Sequence, residues 1–274
     1  MIRFAFLWIP NINVEQFLII SSAVFFGLAF SFILAVFVKR YVKIVKGRKE
    51  AIMHRYIEQL LFPVLFHQQT FADISTTHLY QKLTTDILFL KALHDAVIKM
   101  HSSYSGSHAH LLRTFFIEAK LVDISLNKMS KGAWNEKCRA IRDLSQMQIE
   151  SSSILMLQYC SSNNETLRQE ALIGLIRLRG FNGLTVLKDY AFEINPWMII
   201  NIIHHLNLQD QTNIPQFDFL LESANNTVVM LGCRLIEYYK QTEQLNHLLI
   251  LNQTTHHADL KEISALVIEK LNSF

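Results

Sequence analysis

Glycine and proline are scarce in this chain of 274 residues, at 8 and 4. So few helix breakers suit a helical protein with short loops and argue against a disordered tail. Cysteine is scarcer still. Cys138, Cys160 and Cys233 are odd in number, far apart and without a CxxC pair, so neither a disulfide framework nor a cysteine zinc site is indicated. Buried free thiols are the expectation. There is also no Walker phosphate loop, GxSxG elbow or HExxH helix, and no nucleophile and base stand in a recognisable frame. No catalytic, cofactor-binding or metal residue is therefore assigned, and a non-enzyme is expected.

Charge is sparse as well, at 18% of residues, and from 17 to 38 it is missing altogether. The run FLIISSAVFFGLAFSFILAVFV is long enough, as a helix, to cross the roughly 30 Å hydrocarbon layer. A signal peptide would have a shorter apolar core and a small-residue cleavage site, and this run passes straight into KRYVKIVKGRKE. A buried core helix would leave that basic cluster unexplained. A single transmembrane helix is the expectation.

Lys39, Arg40, Lys43, Lys46, Arg48 and Lys49 follow the run, and only Arg3 precedes it. Positive charge marks the cytoplasmic side, which predicts a single-pass protein with its N-terminus outside and the remainder in the cytoplasm. The cluster also attracts anionic lipid headgroups, although orientation and tethering are the simpler role. The net charge is +3, and removing these six cations leaves −3 for the rest. Such a surface does not suit a nucleic-acid groove, which needs positive charge spread along the contact.

Four further stretches complete the reading: 1–16 as a short extracytoplasmic segment, 39–50 as a basic juxtamembrane segment, 51–130 as an irregular helical region capping an array, and 131–274 as repeats. In the irregular region, a helix around IMHRYIEQLLFPVLF is expected to break near Pro63. A longer helix is predicted over 83–100 with Leu88, Leu90, Leu93 and Val97 buried, and HSSYSGSHAH at 101–110 reads as a loop.

The repeats are marked by Ala140, Ile141 and Leu144, then Ala171, Leu172 and Leu175, then Ile202, Ile203 and Leu206, then Gly232, Cys233 and Ile236. The first members are 31, 31 and 30 residues apart, and a weaker copy follows at Ser264, Ala265 and Ile268. Between them lie shorter candidate helices near 152–159, 181–190, 215–221 and 244–251. A short helix of this kind is unstable alone and must be buried against a neighbour. Periods of this length denote helical solenoids, with small Ala140, Ala171 and Gly232 allowing close approach of neighbours.

The segment from 134 to 187, WNEKCRAIRDLSQMQIESSSILMLQYCSSNNETLRQEALIGLIRLRGFNGLTVL, resembles tandem HEAT repeats. With the apolar run, the layout resembles bacterial membrane-anchored HEAT-repeat proteins. The resemblance implies an all-α fold, one N-terminal transmembrane helix followed by a HEAT- or armadillo-like α-solenoid of helical hairpins, and use as an interaction scaffold. HEAT-type deoxyhypusine hydroxylases hold iron on His-Glu pairs, and this sequence has no His-Glu dipeptide. HEAT-like phycobilin lyases are a second enzymatic relative, but nothing in the chain marks a tetrapyrrole pocket. The pairs His108 with His110, His204 with His205, and His256 with His257 lack the helical spacing that ligands on one face need.

Arg139, Arg142, Arg168, Glu237, Tyr238 and Tyr239 are residue types that interfaces favour and could form a binding surface. The simpler reading is that the tyrosines pack between repeats and the arginines solvate the ridge, so no site is assigned. Two functions are weighed. One is a non-catalytic scaffold whose cytoplasmic repeats bind a protein partner at the membrane. The other is a regulatory or assembly subunit of a membrane enzyme or transporter, as in envelope polysaccharide synthesis, with the span itself in the interface.

Overall fold

The computed structural model describes residues 14–67 and 69–273. Among them the chain is all-helical, 79% helix with no strand. It divides into two units, Met1–Phe62 and Pro63–Phe274.

The first unit is dominated by α1, Val14–Phe66, which runs on past the unit boundary. From 15 to 50 every residue is exposed. One window of this helix is long and apolar enough to cross a membrane, and none of that window is buried. A core helix of a water-soluble protein would have its apolar surface covered, and here Phe25, Phe26, Phe30 and Phe32 are bare. The expected break at Pro63 is absent. Pro63 lies in the last turn of α1, so the hydrogen bond it cannot donate is among the last the helix would make, and its carbonyl accepts from the His67 and Gln69 amides.

The second unit continues with α2 (Phe71–Ser75), α3 (His78–Leu83), α4 (Ile87–His101), α5 (Ser107–Glu118) and α6 (Val122–Lys131). Here two expectations are corrected. The helix predicted from 83 starts only at Ile87, because Asp86 turns to cap it, accepting from the Leu88 amide at 2.8 Å. That start buries Phe89, Leu93, His94, Val97 and Ile98, leaving Leu88 exposed and Leu90 half-buried. The loop is also shorter than predicted, since α5 already includes Ser107 to His110.

Next come α7 (Trp134–Gln146), α8 (Ser153–Tyr159), α9 (Glu165–Arg179), α10 (Pro196–Asn207), α11 (Asp218–Leu221), α12 (Asn226–Tyr238), α13 (Leu245–Thr254) and α14 (Ala258–Asn272). The longer ones, α7, α9, α10, α12 and α14, carry the periodic residues. Three start on an asparagine in extended conformation whose side chain accepts from the first turn: Asn164 from Leu167, Asn195 from Met198 and Asn225 from Thr227. Ala140, Ile141, Leu144, Ala171, Leu172, Leu175, Ile202, Leu206, Gly232, Cys233 and Ile236 are buried, and Ile203 is half-buried. The fifth copy slips. In α14 the buried positions are Leu260, Ser264, Val267 and Leu271, while Ala265 is exposed and Ile268 half-buried.

α7 packs on α6 and α9, α9 also on α8 and α10, and α12 on α11 and α14. α9 is enclosed from several sides, with Ile173, Gly174 and Ile176 buried besides its periodic leucines. Its approach to α7 is close at Gly174, where a Cβ would stand 2.6 Å from Cγ2 of Ile141. The predicted second helix over 181–190 is instead a 3-10 segment, Gly180–Leu187. Its backbone lies against α9 at Gly183, where a Cβ would fall 2.8 Å from Cα of Ile176.

Hydrogen bonds also join linkers and short helices that lie 26 to 35 residues apart in sequence. Tyr159 donates to the Met129 carbonyl at 2.7 Å. The Ile194 amide donates to Thr227 Oγ1 at 2.9 Å, and Asn225 Nδ2 to the Tyr190 and Phe192 carbonyls at 2.8 and 2.7 Å. Further along, Gln241 Nε2 donates to the Pro215 carbonyl at 2.7 Å. These polar side chains satisfy carbonyls that the irregular linkers would otherwise bury unpaired.

Candidate interaction surface

The residues expected to form a binding surface divide sharply once placed. Arg139 pairs with Asp95 at 3.0 Å and Arg142 with Glu170 at 2.9 Å. Arg168 lies over the Phe192 ring, its guanidinium carbon 3.8 Å from the centroid, and donates to the Ser162 carbonyl at 2.7 Å. These arginines fasten helices and linkers together. Tyr239 is packed in a ring cluster with Phe181 and Phe217, at centroid distances of 5.8 and 5.5 Å. Glu237 and Tyr238 are the two that open onto a groove.

That groove exists because α10 packs on α9 and α12 on α14, while contact between α10 and α12 is sparse. Pro196, Ile199, Ile200 and Ile203 of α10 face Met230 and Arg234 of α12 and Ile263 of α14 around a hollow of about 320 Å³. A second hollow of about 480 Å³ adjoins it through Ile203 and Arg234 and reaches Glu237, Tyr238 and Lys270. The floor is aliphatic and the far end is charged. Ile200 is 66% exposed and Tyr238 49%, so large apolar groups stand open to water along the groove. A contiguous apolar patch with a polar rim is the ordinary signature of a protein contact.

Glu237 organises the charged end. Its carboxylate takes Arg234 Nη1 at 3.1 Å on one oxygen and Lys270 Nζ on the other. Burial acts to raise this carboxyl, but the bonds from Lys270 and Arg234 outweigh it and hold the group below its usual value. Two cations against one anion leave the rim positive by one charge.

A larger cleft of about 920 Å³ opens among the linkers, lined by Lys188, Asp189, Glu193, Glu222, Asn225 and Asp259 among others. It is wide, and Asn225 and Thr227 within it are committed to the linker bonds described above. Among the described residues, Lys188, Asp189, Glu193, Glu222 and Asp259 around it are exposed charges without a side-chain partner, four acidic and one basic, rather than one apolar contact face.

Histidine chemistry was read only from sequence pairs, and the informative histidine is elsewhere. His94 is fully buried, with Nε2 2.7 Å from Ser125 Oγ and Nδ1 3.0 Å from Asp95 Oδ1. The order serine, histidine, carboxylate is that of a nucleophilic triad. Ser125 has no exposed surface, however, so no substrate carbonyl can reach its oxygen. The group is a polar lock between α4 and α6. Nothing in the sequence signals it, because Ser125 lies 31 residues from His94.

His205 accepts from Arg177 Nη2 at 3.0 Å, and Arg177 also reaches Ser145 Oγ at 3.3 Å, so α7, α9 and α10 are joined at one end. Burial, Arg177 and His204 push the His205 imidazole down to about 4, which keeps it neutral and able to accept. Among the described residues no group of three or more His, Cys, Asp or Glu is placed to hold a metal ion. Comparison of the chain with protein-family models, with curated proteins and with solved structures gave no match.

Proposed function

We propose that this chain is a single-pass membrane protein whose helical unit is a HEAT-like solenoid that docks a protein partner beside the bilayer. The observation that carries the reading is the apolar groove between α10 and α12, an open contact surface on an otherwise well-packed set of helices. The buried 31-residue periodicity and the bonds between linkers and short helices 26 to 35 residues apart support the solenoid. The bare apolar window of α1 supports the anchor. Basic residues that follow this window favour a cytoplasmic placement of the helical unit in a bacterial inner membrane. Holding a partner at the membrane raises its effective concentration near other membrane components. The role is that of a non-catalytic scaffold.

The test is crosslinking in intact membranes, comparing the natural chain with Ile200→Glu and with a version whose residues 17–38 are replaced by an unrelated apolar span. Specific capture that Ile200→Glu abolishes and the new span retains is the expected result. Capture that depends on the original span instead identifies a subunit of a membrane complex, and capture unaffected by either change removes the groove from consideration.

A further inference from the structure

The basic residues beyond the apolar run are usually read together, as one cluster that orients the chain. The geometry of α1 separates them. The helix continues without a break from 17 through 49, so each residue's height above the hydrocarbon follows from the rise along the axis. Counted from Val38, Lys39, Arg40 and Lys43 stand within about 8 Å, and Lys46, Arg48 and Lys49 at about 12 to 17 Å, at about 1.5 Å per residue. Headgroups occupy about 5–8 Å on each side of the hydrocarbon. The first three cations therefore sit among the phosphates, and the second three stand in water above them.

At helical spacing Lys39, Lys43 and Lys46 share one side, and Tyr41 and Val45 the other, with Val42 and Ile44 flanking them. Tyr41, Val42 and Ile44 are exposed, at 70, 58 and 45%. Apolar side chains in such exposure are costly in bulk water and suited to the hydrocarbon boundary. No acidic residue occurs between Glu15 and Glu50, and the ion pair found here is Lys46 with Glu50 at 3.9 Å, above the headgroup layer.

We propose that residues 39–43 form a headgroup-layer segment that binds anionic lipid phosphates through Lys39, Arg40 and Lys43, whereas Lys46, Arg48 and Lys49 act on the surface only at a distance. This rests on the membrane reading above. A nucleic acid or acidic protein would need cations accessible from water, and the three assigned here are submerged to their Cα atoms.

The experiment uses the full chain in nanodiscs of phosphatidylcholine doped with phosphatidylglycerol, and reads the relative immobilisation of spin-labelled forms of the two lipids. The natural chain is expected to favour phosphatidylglycerol. Replacing Lys39, Arg40 and Lys43 together by Gln should reduce that preference by about fivefold or more, the factor for loss of at least one close charge contact. Replacing Lys46, Arg48 and Lys49 by Gln should change it far less, and salt should erase what change there is, because distant charges are screened over about 8 Å. Equal immobilisation of both lipids, an equal effect of the two triple variants, or displacement by added tRNA would each overturn the proposal. A chain that carbonate washes from the bilayer would instead overturn the membrane reading itself.

Discussion

Ser125 Oγ lies 2.7 Å from Nε2 of His94, a contact from which water is wholly excluded and which joins α4 to α6. Removing the hydroxyl leaves an imidazole nitrogen buried without a partner. Ser125→Ala should lower unfolding stability of the helical unit by about 1–3 kcal/mol, the cost of one orphaned buried polar group. Chemical denaturation measures it, and partner capture at the membrane should survive.

Asp143 behaves in the opposite sense to the buried histidines. Its Oδ2 is buried without a hydrogen-bond partner, and burial pushes the carboxyl up to about 6 against the pull of Arg139 and Lys128. The folded chain thus holds this proton more tightly than the unfolded one. Its ionisation penalty is fully present above about pH 6 and disappears as pH falls towards the ordinary value of 3.8. Asp143→Asn should be more stable than the natural chain by about 1–3 kcal/mol at pH 7.5, and the two should converge near pH 4. A constant difference across that range would contradict the assignment.

His205 supplies the countervailing slope. Its folded value of about 4 lies below the unfolded one, so its contribution is complete above pH 6.5 and is lost as pH falls towards 4. His205→Gln can still accept from Arg177 but does not titrate. Thermal unfolding between pH 7 and 4.5 should show a shallower acid loss for this variant than for the natural chain.

Cys138, Cys160 and Cys233 are all buried, and burial pushes the Cys160 and Cys233 thiols up to about 12. A thiolate is the reactive form, so the folded chain should resist a disulfide reagent at pH 8 and release all three thiols when denatured. Rapid modification of Cys160 or Cys233 in the folded chain would contradict their placement.

Gly174 of α9 lies close against Ile141 of α7. A methyl group there meets Ile141 at 2.6 Å and Met156 sulfur at 3.3 Å, so Gly174→Ala should destabilise by about 1–3 kcal/mol despite alanine's better helix propensity. Ile200→Glu, by contrast, changes an exposed groove residue and should leave the melting temperature within a few degrees of the natural value.

Signals that depend on near neighbours in sequence were legible. The apolar run and the periodic burial of Ala140, Ala171, Ile202 and Gly232 follow from helical spacing and composition. Pro63 misled because α1 runs on only to Phe66, and one hydrogen bond lost near the end of a helix of 53 residues does not break it. The start of α4 misled because Asp86 had the stronger claim as a cap, and its inner face misled because it is set by Phe89, Leu93, Val97 and Ile98 rather than by Leu88. Gly174, the lock between His94 and Ser125, and the groove beside α10 depend on chain segments that only folding brings together. For Arg139, Arg142 and Arg168 the residue type suited both a binding surface and a brace, and only their partners decided between them.

The bonds that join one linker to another, such as Asn225 to the Tyr190 and Phe192 carbonyls and Gln241 to the Pro215 carbonyl, have a mechanical corollary. Tension applied at the C-terminus first loads α14, whose close partners are α12 and α13. As the solenoid proposed above, the helical unit pulled from that end against a fixed α1 should yield in a staircase of small rips about 30 residues long, instead of a single rupture.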